Sequence, residues 1–391
     1  MFSEFSWWHI AYLLITTHIT IVTVTVYLHR GLAHRSLIVA KPLEHFFRFW
    51  CWITTGQNPT EWAAVHRKHH AFCEKIGDPH SPKIFGFWTV LFKGVVLYKK
   101  EANNPETIKR YGHMTPNDRI AQFYAKYSKS GMTVLGILQV LLFGWHGLWI
   151  LALQLIWIPF WAAGVINGLG HFKGYRNFKT TDTSTNISPW GIIIGGEELH
   201  NNHHAYPTSA KLSFKWYEFD IGWGWIKFFE FLGLLSINKV AFLPQIQENQ
   251  ETFCLDTILA NKSYVLTMFY KKTKKQVIDT IRMIKESNPI LQSHSNKELN
   301  FVFYHDKESS TPLTEGQQFL LSELLKNKVL SYIYQAKEEL LNFWNNKTAN
   351  TQQMKEQIIY WIESIKNTSK ENNTFKCLDI FASNLIKLKA S

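Results

Sequence analysis

Three short stretches place histidines at spacings that can hold a metal: His29-Arg-Gly-Leu-Ala-His34, His66-Arg-Lys-His69-His70 and His200-Asn-Asn-His203-His204. On an α-helix, residues at i, i+3 and i+4 lie on one face. Each HxxHH set is therefore expected to aim three imidazoles at one point, and neutral imidazole is a favoured ligand for iron, zinc and copper. One such triplet could arise by chance among 17 histidines. The same triplet twice, with an HxxxxH pair besides, each flanking an apolar segment, reads as a metal-holding design. The HxxxxH pair differs, because five residues turn about 500° on an α-helix. Gly31 is expected to end the helix there and let His34 swing round.

The ligand inventory narrows the chemistry. The HExxH motif of zinc hydrolases is absent. Soluble di-iron carboxylate bundles need two Glu-x-x-His pairs, and only Glu197-x-x-His200 is present. A site this rich in imidazole can hold two first-row metals, with iron preferred where the task is oxygen activation. The cysteines Cys51, Cys73, Cys254 and Cys377 lack CxxC spacing. They suit neither a disulfide framework nor a thiolate metal site, and read as reduced buried thiols.

The elements that must position these boxes are apolar. Residues 1–240 carry most of the Trp, Phe, Leu and Ile, whereas residues 245–391 are rich in Lys, Glu, Asn and Gln. The net charge of +12 invites a nucleic-acid reading, but no basic reading helix, zinc finger or stacking platform is present. The basic residues of the first half sit beside apolar segments, as the positive-inside rule requires. Residues 5–28 form an uncharged run of roughly 36 Å as a helix, enough to cross a hydrocarbon core of about 30 Å. With Glu4 before it and Arg30 and Arg35 after it, the run reads as a retained anchor, N-terminus outside, with the first box inside. His9 and His18 within it read as packing residues.

Residues 37–57 are aromatic but interrupted by Lys41, Glu44, His45 and Arg48. Because the boxes on either side must converge, this segment is expected to be an interfacial helix rather than a crossing. The stretch Gly131–Gly170 fits two spans, about 131–146 and 147–168, hinged at Gly144-Trp-His-Gly147 and kinked at Pro159. That hairpin puts His146 on the far side and His171 on the side of the boxes. Residues 245–391 show apolar residues at three-to-four spacing, such as Leu320, Leu321, Leu324, Leu325 and Leu330. They read as a cytoplasmic helical appendage without motifs of its own.

The strings HRGLAHRS, EWAAVHRKHHAF followed by DPHSP, GEELHNNHHAYP and Asn167-Gly-Leu-Gly-His171 closely resemble the membrane acyl-CoA and acyl-lipid desaturases, the stearoyl-CoA desaturases among them. The match is to the bacterial delta-9 branch. It covers residues 29–207 in the family's order and leaves out residues 245–391. The resemblance implies an all-α integral membrane protein with a cytoplasmic histidine-box domain (residues 1–240). It implies two iron ions held by His29, His34, His66, His69, His70, His171, His200, His203 and His204, with Asn167 acting through a water. It further implies an enzyme that uses molecular oxygen and two electrons to introduce a cis double bond, usually at delta-9, into a saturated acyl chain, most readily an acyl-CoA. Trp62 is expected along the acyl tunnel, and Asp78 and His80 behind the imidazoles. Since no fused haem-type donor is visible, electrons are expected from a separate ferredoxin- or flavoprotein-type reductase. A bacterial inner membrane, with the site facing the cytoplasm, is the expected location.

Two rival readings remain at this level. A membrane hydroxylase or alkane monooxygenase shares the histidine-box plan but inserts oxygen. A metal transporter or sensor would need its ligands inside the spans, whereas these clusters lie just beyond them.

Overall fold

The computed structural model describes residues 4–248, 254–307, 309, 312–345 and 351–389. It is built almost wholly of helices, with three two-stranded pairings among the described residues. The chain divides into two compact units, Met1–Ala241 and Phe242–Ser391.

In the first unit, the opening helix runs unbroken from Trp7 to Ala33. Ser6 and His9 cap its start reciprocally. From Thr23 to Ala33 the helix is π-helical, and the bond from His34 N–H to the His29 carbonyl, 3.0 Å, spans five residues. Gly31 therefore does not end the helix as expected. The wider turn itself brings positions five apart onto one side, which is how His29 and His34 come to face the same point. Next, Leu37–Val39 pairs antiparallel with Leu235–Ile237, tying the first box to the far end of the unit.

The helix Lys41–Thr54 is amphipathic, with Phe47, Arg48 and Cys51 buried and Phe46 and Phe49 exposed. Arg48 reaches Asp118 through two nitrogens. The second box lies on Pro59–Phe72, started by Asn58 and Pro59. Phe87–Ala102 and the π-helical Pro159–Ile166 pack backbone to backbone. A Cβ at Gly94 would stand 2.2 Å from the Ala163 carbonyl oxygen, so only glycine permits this approach.

Two helices, Trp7–Ala33 and His146–Leu169, are long and apolar enough to cross a membrane. The segment expected as a third span is the helix Ser128–Phe143, which at 16 residues is shorter than a full crossing usually needs. It turns at Gly144 directly into His146–Leu169. Exposed Leu141, Leu142, Leu148 and Ile156 give this hairpin the apolar surface of a membrane element.

The second unit has a core of its own around Phe269, Leu324, Leu340, Ile358, Trp361 and Phe381. Lys262–Ser287, Lys328–Asn345, Thr351–Glu371 and Lys376–Ile386 supply most of it. Leu320, Leu324 and Leu330 point inward, and Leu321 and Leu325 pack against them.

Candidate metal centre

Nine imidazoles from four segments meet inside the first unit and divide into two groups. In the first, His34 and His66 approach Nε2 to Nε2 at 2.8 Å, His66 and His70 at 3.1 Å, His70 and His203 at 2.8 Å, and His203 and His29 at 3.2 Å. In the second, His171 and His200 approach Nε2 to Nε2 at 3.0 Å, and the rings of His69 and His204 lie 5.0 and 4.7 Å from that of His171. The rings of His70 and His204, 4.6 Å apart, join the groups.

The helical boxes are thus split rather than convergent. His66 and His70 serve the first group while His69 serves the second, and His203 serves the first while His200 and His204 serve the second. The arc between i+3 and i+4 on a helix is about 100°, so a box wedged between two targets sends one member each way. His200–Ala205 is only six residues long and is held from behind. Asn201 accepts from the backbone N–H groups of Asn177 and Phe178, and Asn202 donates to Glu218 and to the Leu212 carbonyl.

Carboxylates fix the ring orientations. The Nδ1–H of His29 donates to Glu197 at 2.8 Å, that of His69 to Asp78 at 3.0 Å, that of His171 to Glu74 at 3.0 Å and that of His204 to Asp182 at 3.1 Å. Such bonds leave the Nε2 lone pair free and make it more basic. Where both rings of a pair carry their proton on Nδ1, the Nε2 lone pairs face each other, and a cation between them would turn that repulsion into ligation. His200 Nδ1, His203 Nδ1 and His204 Nε2 are also buried without a hydrogen-bond partner among the described residues. The donor set fits a pair of imidazole-binding metal ions.

Charge states agree with that use. Burial, reinforced by neighbouring imidazoles, drives His34, His66, His70, His200 and His203 well below the ordinary imidazole range. Burial lowers His204 to about 4 against the opposing pull of Asp182. These rings are neutral near pH 7, as metal binding requires. His69 goes the other way: burial would lower it, but Asp78, Asp182 and Glu74 together outweigh burial and raise it. Asp78 and Asp182 are held well below the usual carboxylate range despite burial, by His69 and His204 respectively.

Of the residues expected behind the imidazoles, Asp78 bonds His69 directly. His80 instead stacks on His69 with ring centres 4.4 Å apart. Glu74, Asp182 and Glu197 were not legible in these roles. Their one signal is burial of acids beside the boxes, which spacing does not disclose. Cys73 also departs from expectation: its Sγ lies 3.9–4.0 Å from nitrogens of His69, His171 and His204. It stands one helical turn past His69, with no second cysteine at metal-binding spacing to mark it in the sequence. His146, by contrast, packs against His9, ring centres 4.6 Å apart, and His18 accepts from the Trp225 indole. None of these three is in a metal-spaced group among the described residues.

Arg30 anchors the first box. Its guanidinium is buried and forked onto Asp220, both contacts 3.0 Å, and also donates to the carbonyls of Ala210 and Gly195. Gly196 has φ +97°, and a Cβ there would lie 2.2 Å from Asp220 Oδ1. The Gly195-Gly196 turn is therefore a requirement of this pair rather than a linker.

Beside the first group opens a cavity of about 450 Å³ with largely apolar walls, including Ile21, Val24, Val65, Leu155, Ile158 and Ile166. Its size suits a small-molecule site. His29, His66, His80 and His200 stand in its wall with Asn167, Glu197 and Trp62. Trp62 stacks on His66 at 5.0 Å. Along the helix axis, Gln154 and Asn167 in the same wall are roughly 20 Å apart.

The fatty acid desaturase family model matches residues 5–227. The chain is 34% identical over 254 residues to Delta-9 acyl-lipid desaturase 1 of Arabidopsis thaliana, covering 61% of this chain and 77% of that one. It is 30% identical over 241 residues to the sn-1 stearoyl-lipid 9-desaturase of Anabaena variabilis, covering 61% and 87%. It is 33% identical over 217 residues to an acyl-CoA 5-desaturase of Anemone leveillei, covering 54% and 65%. Relatives thus include plant proteins, so the likeness is not confined to a bacterial branch.

Proposed function

The chain belongs to the fatty acid desaturase family, an oxidoreductase that desaturates fatty acyl chains at a membrane, and on that premise we propose that it inserts a cis double bond at delta-9 using two irons. The observation that carries this reading is the meeting of nine imidazoles in two groups beside one elongated apolar cavity. His29, His34, His66, His70 and His203 would hold one iron. His69, His171, His200 and His204 would hold the other, with Asn167 positioned in the cavity wall to hold a water toward it. When bound, the irons supply the oxygen-dependent oxidising power that removes two hydrogens from the chain.

The residues themselves then bind, orient and exclude. The apolar walls draw in an acyl chain and keep bulk water away, and Trp62, fixed against His66, limits where the chain can bend toward the metals. Glu197, Asp78, Glu74 and Asp182 keep the imidazoles in the tautomer that ligates.

We assign acyl-CoA as the substrate, because exposed Lys99 in the cavity wall, followed by Lys100, places cationic charge where a phosphorylated carrier would sit. The names of the Arabidopsis and Anabaena relatives favour a second reading, an acyl group on a membrane lipid. Two electrons would come from a separate ferredoxin- or flavoprotein-type reductase, and the boxes would face the cytoplasm of a bacterial inner membrane. Purified protein supplied with a reductant, oxygen and either stearoyl-CoA or stearoyl-phospholipid vesicles tests the assignment. Conversion of the CoA ester supports the first reading, conversion of the vesicle lipid alone supports the second, and conversion of neither contradicts both.

A further inference from the structure

The carboxylates behind the imidazoles are unevenly shared. In the group of His69, His171, His200 and His204, three of four rings donate to a carboxylate: Asp78, Glu74 and Asp182. In the group of His29, His34, His66, His70 and His203, the one ring–carboxylate bond among the described residues is His29 to Glu197. That carboxylate is partly offset, since Arg30 Nη2 lies 3.7 Å from Glu197 Oε1. Glu197 is held by one further donor, the Thr25 hydroxyl at 2.5 Å, whereas backbone N–H groups lock the three acids of the other group. Asp78 accepts from the Glu74 and His80 backbone N–H groups, Glu74 accepts from the Thr183 backbone at 2.8 Å, and Asp182 accepts from the Ser184 backbone at 2.9 Å. Arg176 contacts this loop at the Asp182 carbonyl, 3.1 Å, and at the Thr180 side chain. Cys73 Sγ adds a polarisable neighbour within 4.0 Å of the same three rings.

We infer that the two metal positions are unequal by construction. The position bounded by His69, His171, His200 and His204 is the tight one, and Glu74, Asp78 and Asp182 are its positioning residues. The inference rests on the two-iron reading above. A carboxylate bonded to Nδ1–H raises the donor strength of Nε2 and adds negative charge near the cation, and removing one such partner typically weakens metal binding about 10- to 100-fold. Three such partners against one offset partner therefore separate the two positions in hold and in order of loss. The first group, with five rings but weak backing, gives up its ion first.

The test uses the full-length, iron-loaded protein and a coloured ferrous-iron chelator, following released iron with time. The expected result is two phases of equal amplitude, with rates at least about tenfold apart. Asp182→Asn and Glu74→Gln should speed the slow phase alone, and Glu197→Gln the fast phase alone. Release of two irons in one phase would overturn the inference while leaving the two-iron reading intact, and the wild-type profile decides this even where a variant does not fold. Acceleration of the fast phase by Asp182→Asn equal to that of the slow phase would also overturn it. Fewer than about two irons on the starting protein would instead contradict the two-iron reading.

Discussion

The Nε2 atoms of His70 and His203 lie 2.8 Å apart although 133 residues separate them in the chain. A cation between these two nitrogens would be ligated by both rings at once. Replacing either residue with Ala should lower the iron content by at least one atom per chain and abolish desaturation. His146→Ala removes a buried histidine that packs on His9 rather than on the centre, and should keep the full iron content. Elemental analysis of the three purified variants checks this. Equal iron loss at His146 and His203 would contradict the assignment.

Arg30 links the first box to the Gly195-Gly196 turn and to Asp220. Breaking a buried ion pair by removing one partner costs roughly 3–5 kcal/mol, because the other charge is left uncompensated. Arg30→Ala should therefore reduce the amount of folded protein sharply, and Arg30→Lys should recover little, since lysine cannot fork onto Asp220 and two carbonyls at once. Thermal unfolding in detergent, monitored alongside iron content, distinguishes this loss from simple removal of a ligand.

How much of this was readable before the structure depends on what each residue type leaves in the sequence. The histidines announced themselves because a repeated i, i+3, i+4 spacing is rare by chance. The split of each box between two groups was not readable, since a helical face predicts direction but not the number of targets. The π-helical turn carrying His29 and His34 left no trace either. Thr23, Val24, Thr25 and Val26 are equally at home in an α-helix buried in apolar surroundings, and the i→i+5 pattern arises from tertiary fit. Glu74 and Asp182 bond rings 97 and 22 residues away, so no local motif could pair them. The amphipathic Lys41–Thr54 helix was foreseeable from its charges, whereas the short Ser128–Phe143 helix was masked by a long unbroken apolar run.

Gln154 lies in the cavity wall roughly 20 Å along the helix from Asn167. It is held there by Gln139, 2.7 Å from its Oε1, and by Thr16, 2.6 Å from its Nε2. If the cavity is the acyl channel, Gln154→Ala extends the channel away from the imidazoles. The product profile should move toward longer chains when a mixture of saturated substrates is offered. An unchanged profile with intact activity would contradict the channel assignment.

The two compact units have separate cores, and all nine imidazoles belong to the first. Truncation after Ala241 should yield a membrane-inserted protein that still binds about two irons per chain. Inserted, folded protein without iron would show that residues 242–391 complete the centre. If iron is retained and turnover falls only with a protein electron donor, not with a chemical reductant, the second unit helps receive that donor.

The product formed tests the proposed desaturation most directly. Membrane lipids from a host expressing the chain can be analysed by gas chromatography–mass spectrometry with double-bond mapping, beside the same host expressing His203→Ala. The expected result is a new cis-monounsaturated acyl chain, lighter than its precursor by two hydrogens and with the double bond at delta-9, present only with the unaltered chain. A hydroxylated chain, heavier by one oxygen, or an unchanged lipid profile in cells that hold the iron-loaded protein would contradict it.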